Sequence, residues 1–215
     1  MICLSVKSFY HLHVHKACGR FFKEYVVEDI KGKLTYSEPT TLPPTWSHYG
    51  WHSLISDNTY VVSSLRDPVE VSVSYMLQHG DIKNKNDFFK MINKINNIQS
   101  KHFINWENNM VDVEKQIDFD KTLILSRLQR VDLLIDSKDI NINSYNNITK
   151  KIVSDMGLKN VHYNDKKEDT NKYRNDGVKE FCNSLTEKEI FKIKEINYMD
   201  VELYEAAKNL FYRFN

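Results

Sequence analysis

One short stretch of the sequence, residues 60–78, limits the folds available to this chain more than any other. It reads YVVSSLRDPVEVSVSYMLQ. Residues 60–65 are apolar and rich in β-branched side chains, which predicts a buried strand. Asp67 is a good helix N-cap, and Pro68 suits the first helical position because a missing N–H costs nothing there. The stretch therefore predicts a strand that leads directly into a helix, with Arg66 at the junction.

A junction of this kind is where open α/β sheets bind ligands, in the crevice beyond the carboxyl ends of the strands. A helix N-terminus beside an arginine favours an anion. Ser74 lies about two turns into the predicted helix, and Glu70 stands where a capping-box partner of Asp67 belongs. The residues alone leave two interpretations open: Arg66 binds an anion, or it is a structural arginine at a strand end.

The chain opens with a second unit of the same kind. Residues 6–14, VKSFYHLHV, predict a first strand, and residues 21–30, FFKEYVVEDI, have the apolar spacing of a helix. The turn between them holds Lys16, with Gly19 three residues on. Backbone N–H groups that point into such a turn, with a lysine beside them, suit a phosphate. The turn does not match GxxxxGKS or GxxxxGKT, so an ordinary ATP- or GTP-binding loop is disfavoured.

The rest of the chain predicts a single α/β domain over residues 1–215, because it shows no internal repeat and no linker. The expected architecture is a mainly parallel central sheet with helices on both faces. The other predicted elements are a loop at 37–45, a helix with an apolar stripe over 88–98, a buried strand at 121–128, a charged loop at 161–177, and two final helices that begin at the Thr186 and Glu189 capping box and near Asp200.

Composition narrows the expected compartment and partners. The net charge is +1, so no overall field points to nucleic acid. The three cysteines, Cys3, Cys18 and Cys182, are odd in number and scattered, which favours free thiols in a reducing compartment. No stretch approaches the roughly 18 apolar residues of a membrane span, and the N-terminus lacks a signal-peptide pattern. We therefore expect a cytoplasmic protein with no nucleic-acid partner and no membrane span.

Taken together, the two strand–turn–helix units resemble those of the sulfotransferases that use 3′-phosphoadenosine 5′-phosphosulfate (PAPS). That family carries a PKTGGTS-like loop after its first strand and an RDPxxRxxSxY-like segment after a later one. Here residues 16–21 align with the loop and residues 66–68 with the later segment, with Ser74 and Tyr75 at the matching offsets. Residues 200–211 are similar to the last helix of the carbohydrate-type members, and residues 122–135 are similar to their late strand.

The resemblance implies a fold, an activity and site residues. The fold would be P-loop-like, and the activity would be sulfuryl transfer from PAPS to an acceptor hydroxyl on a carbohydrate, with adenosine 3′,5′-bisphosphate as product and no metal. Lys16 would hold the 5′-phosphosulfate and steady the leaving phosphate, while Arg66 and Ser74 would hold the 3′-phosphate. The cofactor loop would comprise Lys16, Ala17, Cys18, Gly19, Arg20 and Phe21, and a second loop with Lys172, Tyr173 and Arg174 would close over the nucleotide, unless it is simply a solvated charged loop.

The chain also departs from the family's pattern. Arg20 and Phe21 stand where the family has hydroxyl residues, and Cys18 replaces a small residue such as glycine. Val71 replaces the second arginine of the later segment. In one interpretation Arg20 restores the lost anion contacts through its guanidinium donors, and in the other it faces solvent.

Histidines supply the candidate general base. In the carbohydrate sulfotransferases a histidine between the loop helix and the arginine strand often takes this role, and the pKa of histidine near working pH suits it. His48 is the best positional match and His52 the second, although each could be an ordinary histidine in an aromatic-rich loop. A separate row, at positions 11, 13 and 15, could ligate zinc, but a packed or solvent-facing row of histidines is favoured because no Cys, Asp or Glu is obviously placed to complete the set.

Two other functions stay open at this point. One is a nucleotide-dependent phosphotransferase, which ATP binding and a Mg²⁺ requirement would favour. The other is a non-catalytic relative that binds a nucleotide or a glycan, and the degenerate phosphate loop keeps that alternative open.

Overall fold

In a computed structural model of the protein, three parallel strands form a sheet with β2 in the middle. The structure describes residues 8–17, 50–52, 55–80, 82, 84–104, 106, 110–140, 142–158 and 176–213. The strands of this sheet are β1 (Ser8–Leu12), β2 (Thr59–Leu65) and β3 (Leu133–Asp136). Leu12 pairs with Ser63, and Leu65 pairs with Asp136, so all three carboxyl ends meet at one edge. The strands predicted within 6–14 and at 60–65 are confirmed, and so is their parallel arrangement.

Helices occupy much of the remaining described chain. They are α1 (Pro68–His79), α2 (Lys85–Ile92), α3 (Ile98–Lys101), α4 (Lys121–Gln129), α5 (Ile142–Asp155), α6 (Asp176–Ser184), α7 (Glu187–Ile196) and α8 (Tyr198–Ala207). Among the described residues, none of these helices is long and apolar enough to cross a membrane.

Apolar side chains of β2 alternate between two cores, because successive strand residues point to opposite faces. Val61 and Leu65 pack with α4 and α8, through a cluster that includes Leu12, Ile124, Leu128, Leu134, Leu203 and Ala207. Tyr60 and Val62 pack with α5, through a cluster that includes Leu133, Ile135, Tyr145, Ile148 and Ile152. Helices therefore cover both faces of the parallel sheet, as the sequence predicted.

A third apolar cluster holds α1 in place. Val71, Val73 and Met76 of α1 are fully buried against residues of α2, α6 and α7 that include Phe88, Ile92, Val178 and Ile193. Because α1 follows β2 directly, this packing fixes the direction in which the chain leaves the carboxyl edge of the sheet.

The helix caps follow the predicted chemistry. Asp67 Oδ1 accepts hydrogen bonds from the backbone N–H groups of Val69 (2.9 Å) and Glu70 (3.2 Å), and Pro68 is the first residue of α1. The capping box of Thr186 and Glu189 at the start of α7 is also confirmed. These side chains satisfy N–H groups that have no partner inside a first helical turn.

Two predicted elements differ from the structure. Residues 121–128, predicted to be a buried strand, belong to helix α4. Asp120 caps this helix by accepting from the N–H of Leu123 (3.0 Å), and the two buried residues, Ile124 and Leu128, are four apart on one helical face. The buried strand of this region, β3, comes later, at Leu133–Asp136. The helix predicted over 88–98 is likewise two helices, because α2 ends at Ile92 and α3 begins at Ile98.

Candidate anion-binding site at the carboxyl edge of the sheet

The turn after β1 and the junction after β2 lie side by side. Leu12, the last residue of β1, pairs with Ser63, two residues before the end of β2, so the turn that holds Lys16 and the junction that holds Arg66 leave the sheet at the same edge. The Ser64 hydroxyl donates to the carbonyl oxygen of Ala17, which fastens the turn to β2. The structure therefore brings Lys16, Ala17 and Arg66 to the same edge of the sheet.

Lys16 occupies a constrained position in this turn. Its φ is 60°, in the left-handed region that residues other than glycine rarely adopt. The pKa of His79, in the last turn of α1, is lowered mainly by burial and in addition by the positive charge of Lys16. The Lys16 charge therefore acts on α1. A cation held in a fixed backbone conformation at a strand end suits an anionic ligand.

Arg66 is held from two directions. Its backbone N–H donates to Gln99 Oε1 (2.9 Å), and its carbonyl oxygen accepts from Gln99 Nε2 (2.8 Å). The Arg66 Nε donates to Glu70 Oε2 (2.8 Å), so Glu70, which was predicted to complete a capping box, orients the guanidinium. Within the part of the chain that the structure describes, neither Nη nitrogen of Arg66 hydrogen-bonds to another residue. The half-buried guanidinium can thus offer both Nη groups to a ligand.

Ser74 and Val71 are both buried residues of α1. Ser74 is buried and lies four residues after Glu70, so the two residues share a side of the helix. Val71, which the predicted alignment places at the second arginine of the sulfotransferase pattern, is fully buried in the core shared with α2, α6 and α7. That position therefore faces the helices and not the carboxyl edge of the sheet.

A pair of histidines joins the β1 turn to α3. His102 Nε2 lies 3.2 Å from the His15 backbone nitrogen and 2.7 Å from His15 Nδ1. Because a backbone N–H can only donate, His102 Nε2 is the acceptor of both contacts, and His15 Nδ1 carries a proton. The ring of Tyr75 on α1 lies against His15, with the ring centroids 5.8 Å apart. Both strand-end turns are therefore tied to this short segment, one through His102, the residue that follows α3, and the other through Gln99 within α3.

The α3 segment is a buried polar scaffold. Asp200, on α8, accepts from the Gln99 N–H (3.0 Å), the Ser100 N–H (2.7 Å) and the Ser100 hydroxyl (2.7 Å). Burial raises the pKa of the Asp200 carboxyl to about 6, although these donors favour its ionised form. Lys101 is fully buried, donates from Nζ to the Val113 carbonyl oxygen (2.6 Å), and has its pKa lowered to about 8 by burial. No apolar periodicity marks this scaffold in the sequence, because its residues are polar.

The end of β3 carries a buried carboxylate that sequence reasoning missed. Asp136 Oδ2 accepts from the Tyr204 hydroxyl (2.8 Å) and lies 2.7 Å from Lys138 Nζ. Burial and this hydrogen bond raise the pKa of Tyr204, and the hydrogen bond to Asp136 raises the pKa of Lys138. An acidic residue at the carboxyl end of a predicted strand can be recognised from sequence. Asp136 was not recognised because the strand was predicted 12 residues too early, at Lys121 instead of Leu133.

The remaining predicted site residues divide into two groups. His52, the second candidate base, is 7% exposed and lies beside Trp51, whose N–H donates to the His102 carbonyl oxygen (2.6 Å). The others lie outside the described residues: Cys18, Gly19, Arg20, Phe21, His48, Lys172, Tyr173 and Arg174.

The alternating histidines are divided between two separate contacts. His11 and His13 are buried and stack with ring centroids 5.4 Å apart, whereas His15 turns away to pair with His102. Across the described ranges, no group of three or more His, Cys, Asp or Glu side chains is placed to hold a metal ion.

Comparison of the chain with protein-family models, curated proteins and solved structures finds no significant match. What the carboxyl edge of the sheet can bind is therefore inferred from the residues of this chain alone. Two cationic side chains, Lys16 and Arg66, stand at adjacent strand ends, and the N-terminus of α1 adds its partial positive charge. This arrangement suits a ligand with separated anionic groups.

Proposed function

We propose that the protein transfers a sulfuryl group from PAPS to an acceptor hydroxyl, with a carbohydrate as the acceptor class. The observation that carries this proposal is the position of Arg66 at the β2–α1 junction, beside the turn that holds Lys16. A ligand with a phosphate at each end of a ribose matches two cations on neighbouring strands. The sequence resemblance adds the pairing of Arg66 with Ser74, which in the family serves the 3′-phosphate.

Each residue has a distinct task in this proposal. Lys16 and the N–H groups of its turn hold the 5′-phosphosulfate, and the Lys16 charge offsets the negative charge that develops on the leaving phosphate. Arg66 and Ser74 hold the 3′-phosphate and so orient the nucleotide. When bound, PAPS supplies the sulfuryl group, which forms a bond to the acceptor oxygen as its bond to the 5′-phosphate oxygen breaks. His48 takes the acceptor proton, with His52 as the second candidate.

The experiment that tests the proposal is a comparison of ligand-induced thermal shifts. Adenosine 3′,5′-bisphosphate at about 100 times its Kd should add roughly 2.7 kcal/mol to the free energy of unfolding. AMP, which lacks the 3′-phosphate, should add much less at the same concentration. Equal shifts from the two nucleotides would remove the main support for the proposal.

A nucleotide-dependent phosphotransferase is the second candidate, and Asp136 is the observation that favours it. A carboxylate at the end of β3, next to β2, stands where it could bind a magnesium ion carried by ATP. Its present partners, Tyr204 and Lys138, would then have to give way. A larger stabilisation by ATP with Mg²⁺ than by the bisphosphate would select this function.

A further inference from the structure

The Gln99 side chain binds both polar groups of the Arg66 backbone. Its Oε1 accepts from the Arg66 N–H at 2.9 Å, and its Nε2 donates to the Arg66 carbonyl oxygen at 2.8 Å. Strand β2 ends at Leu65, so Arg66 is the first residue beyond the strand. The amide of Gln99 supplies the donor and the acceptor that a neighbouring strand would otherwise give it.

Gln99 is itself fixed in position. It is fully buried, and its backbone N–H donates to Asp200 Oδ2 at 3.0 Å. The backbone N–H of the adjacent Ser100 also donates to Asp200, to Oδ1 at 2.7 Å. Because both polar atoms of this buried side chain have a hydrogen-bond partner, a shift of the side chain would leave a polar group unsatisfied.

The consequence falls on the guanidinium of Arg66. Gln99 fixes the backbone on one side, and Glu70 holds Nε on the other at 2.8 Å. The direction in which the two Nη groups point is therefore set by contacts that do not involve a ligand. Preorganised donors bind an anion more tightly than mobile ones, because less ordering is required on binding.

We propose that Gln99 is a positioning residue for recognition of the 3′-phosphate, acting through the backbone of Arg66. This inference rests on the proposed function, since it takes the ligand of Arg66 to be that phosphate. Gln99 bonds to the backbone of Arg66 and leaves its guanidinium to the ligand.

The test compares the affinities of the full chain for adenosine 3′,5′-bisphosphate and AMP by calorimetry. The wild type should prefer the bisphosphate by about tenfold to a hundredfold, the size of a charge-assisted hydrogen bond. Gln99→Met, which keeps the volume but removes both hydrogen bonds, should lose most of that preference, as should Arg66→Met. The double variant should be no worse than Arg66→Met alone, because the two residues act as one unit.

Ser100→Ala is the matched control. Ser100 is also fully buried in α3, and its hydroxyl contacts Asp200 and not Arg66. The control should lower thermal stability, as Gln99→Met does, while keeping the wild-type preference for the bisphosphate. A general loosening of α3 would instead reduce the preference in both variants, and that result would overturn the inference.

Gln99→Glu provides a second, independent readout. A protonated carboxyl offers one donor and one acceptor, as the amide does, whereas a carboxylate only accepts. Because burial raises the pKa of a carboxyl, this variant should recover the preference of the wild type, measured at the same pH, as the pH falls towards about 5.5. This comparison serves equally well if Gln99→Met does not fold.

Failure of the inference and failure of the proposed function give different results. A folded Gln99→Met protein that keeps the wild-type preference, or a Gln99→Glu protein that follows the wild type even at a pH where titration shows the new carboxyl to be ionised, overturns the role of Gln99 alone. A wild-type protein that binds AMP as tightly as the bisphosphate overturns the proposed function, and the inference falls with it.

Discussion

At the scale of single residues, the charge next to Arg66 is the feature that bears most directly on anion binding. Glu70 Oε2 lies 2.8 Å from Arg66 Nε, and its side chain is 47% exposed. The carboxylate orients the guanidinium, but it also repels an anion that approaches the Nη groups. Since the pair is partly solvated, each of these effects is small.

We expect Glu70→Gln to tighten binding of adenosine 3′,5′-bisphosphate by about two- to fivefold. Glutamine keeps an acceptor for Arg66 Nε and removes a negative charge near the ligand, a change worth about 0.5–1 kcal/mol at a partly exposed site. Calorimetry with AMP is the control, because a nucleotide without a 3′-phosphate should show no change. Weaker bisphosphate binding would mean that orientation by the carboxylate outweighs its repulsion.

At the scale of elements, local chemistry accounts for what the sequence could predict. Asp67 with Pro68, and Thr186 with Glu189, marked two helix starts because caps depend on neighbouring residues only. The apolar run at 121–128 was wrongly predicted to be a strand. A short apolar run is compatible with either a strand or a helix until its buried face is known. The turn between α2 and α3 was missed, although Asn97 there has a φ of 47° and its side chain accepts from the N–H groups of Met199 and Asp200.

Helix α3 also carries a testable electrostatic cost. Lys101 is fully buried, and burial lowers its pKa to about 8. Between that value and the ordinary lysine pKa, the unfolded chain binds a proton that the folded chain has released. The free energy of unfolding should therefore rise with pH between about 8 and the ordinary lysine pKa. This gain in stability is lost again as the pH falls through about 8.

The variant Lys101→Met should remove this pH dependence. Denaturant unfolding of the wild type and the variant at about pH 7.5 and pH 10 gives the difference, in which the other lysines and the tyrosines cancel. We expect the wild type to gain roughly 1–3 kcal/mol relative to the variant over this range. A constant difference would show that Lys101 keeps its proton, with the Val113 carbonyl and the nearby Asp200 charge sufficient to hold it.

At the scale of the whole molecule, the candidate site draws on segments that are far apart in the sequence. Arg66 and Gln99 are 33 residues apart, His15 and His102 are 87 apart, and Gln99 and Asp200 are 101 apart. Sequence reasoning found Lys16 and Arg66 because each stands at a strand end, a position that a local pattern can mark. It missed Gln99 and His102, because their roles arise only when distant elements pack together, and it missed Asp136 because the strand that ends there was predicted 12 residues too early.

Catalytic turnover depends on all parts of the proposed site together. Substitution of His48 and His52, the two candidate bases, tests it most directly. His48→Ala should lower turnover by about 10²- to 10⁴-fold, the usual contribution of a positioned base. Affinity for adenosine 3′,5′-bisphosphate should stay nearly unchanged, since the base contacts the acceptor and not the nucleotide. Lys16→Ala should damage both quantities, because it removes a charge that serves binding and the leaving phosphate. The assay screens varied glycans with labelled PAPS.

His52→Ala separates the two candidate bases. His52 is 7% exposed, so we expect this variant to lose more stability and less turnover than His48→Ala. Loss of turnover in His52→Ala but not in His48→Ala would exchange the two roles. If neither substitution lowers turnover on a glycan that the wild type accepts, the general base lies elsewhere. Acidic residues near the carboxyl edge of the sheet are then the next candidates for the base. Tight bisphosphate binding without turnover on any hydroxyl or amine would instead identify a nucleotide-binding protein that does not catalyse transfer.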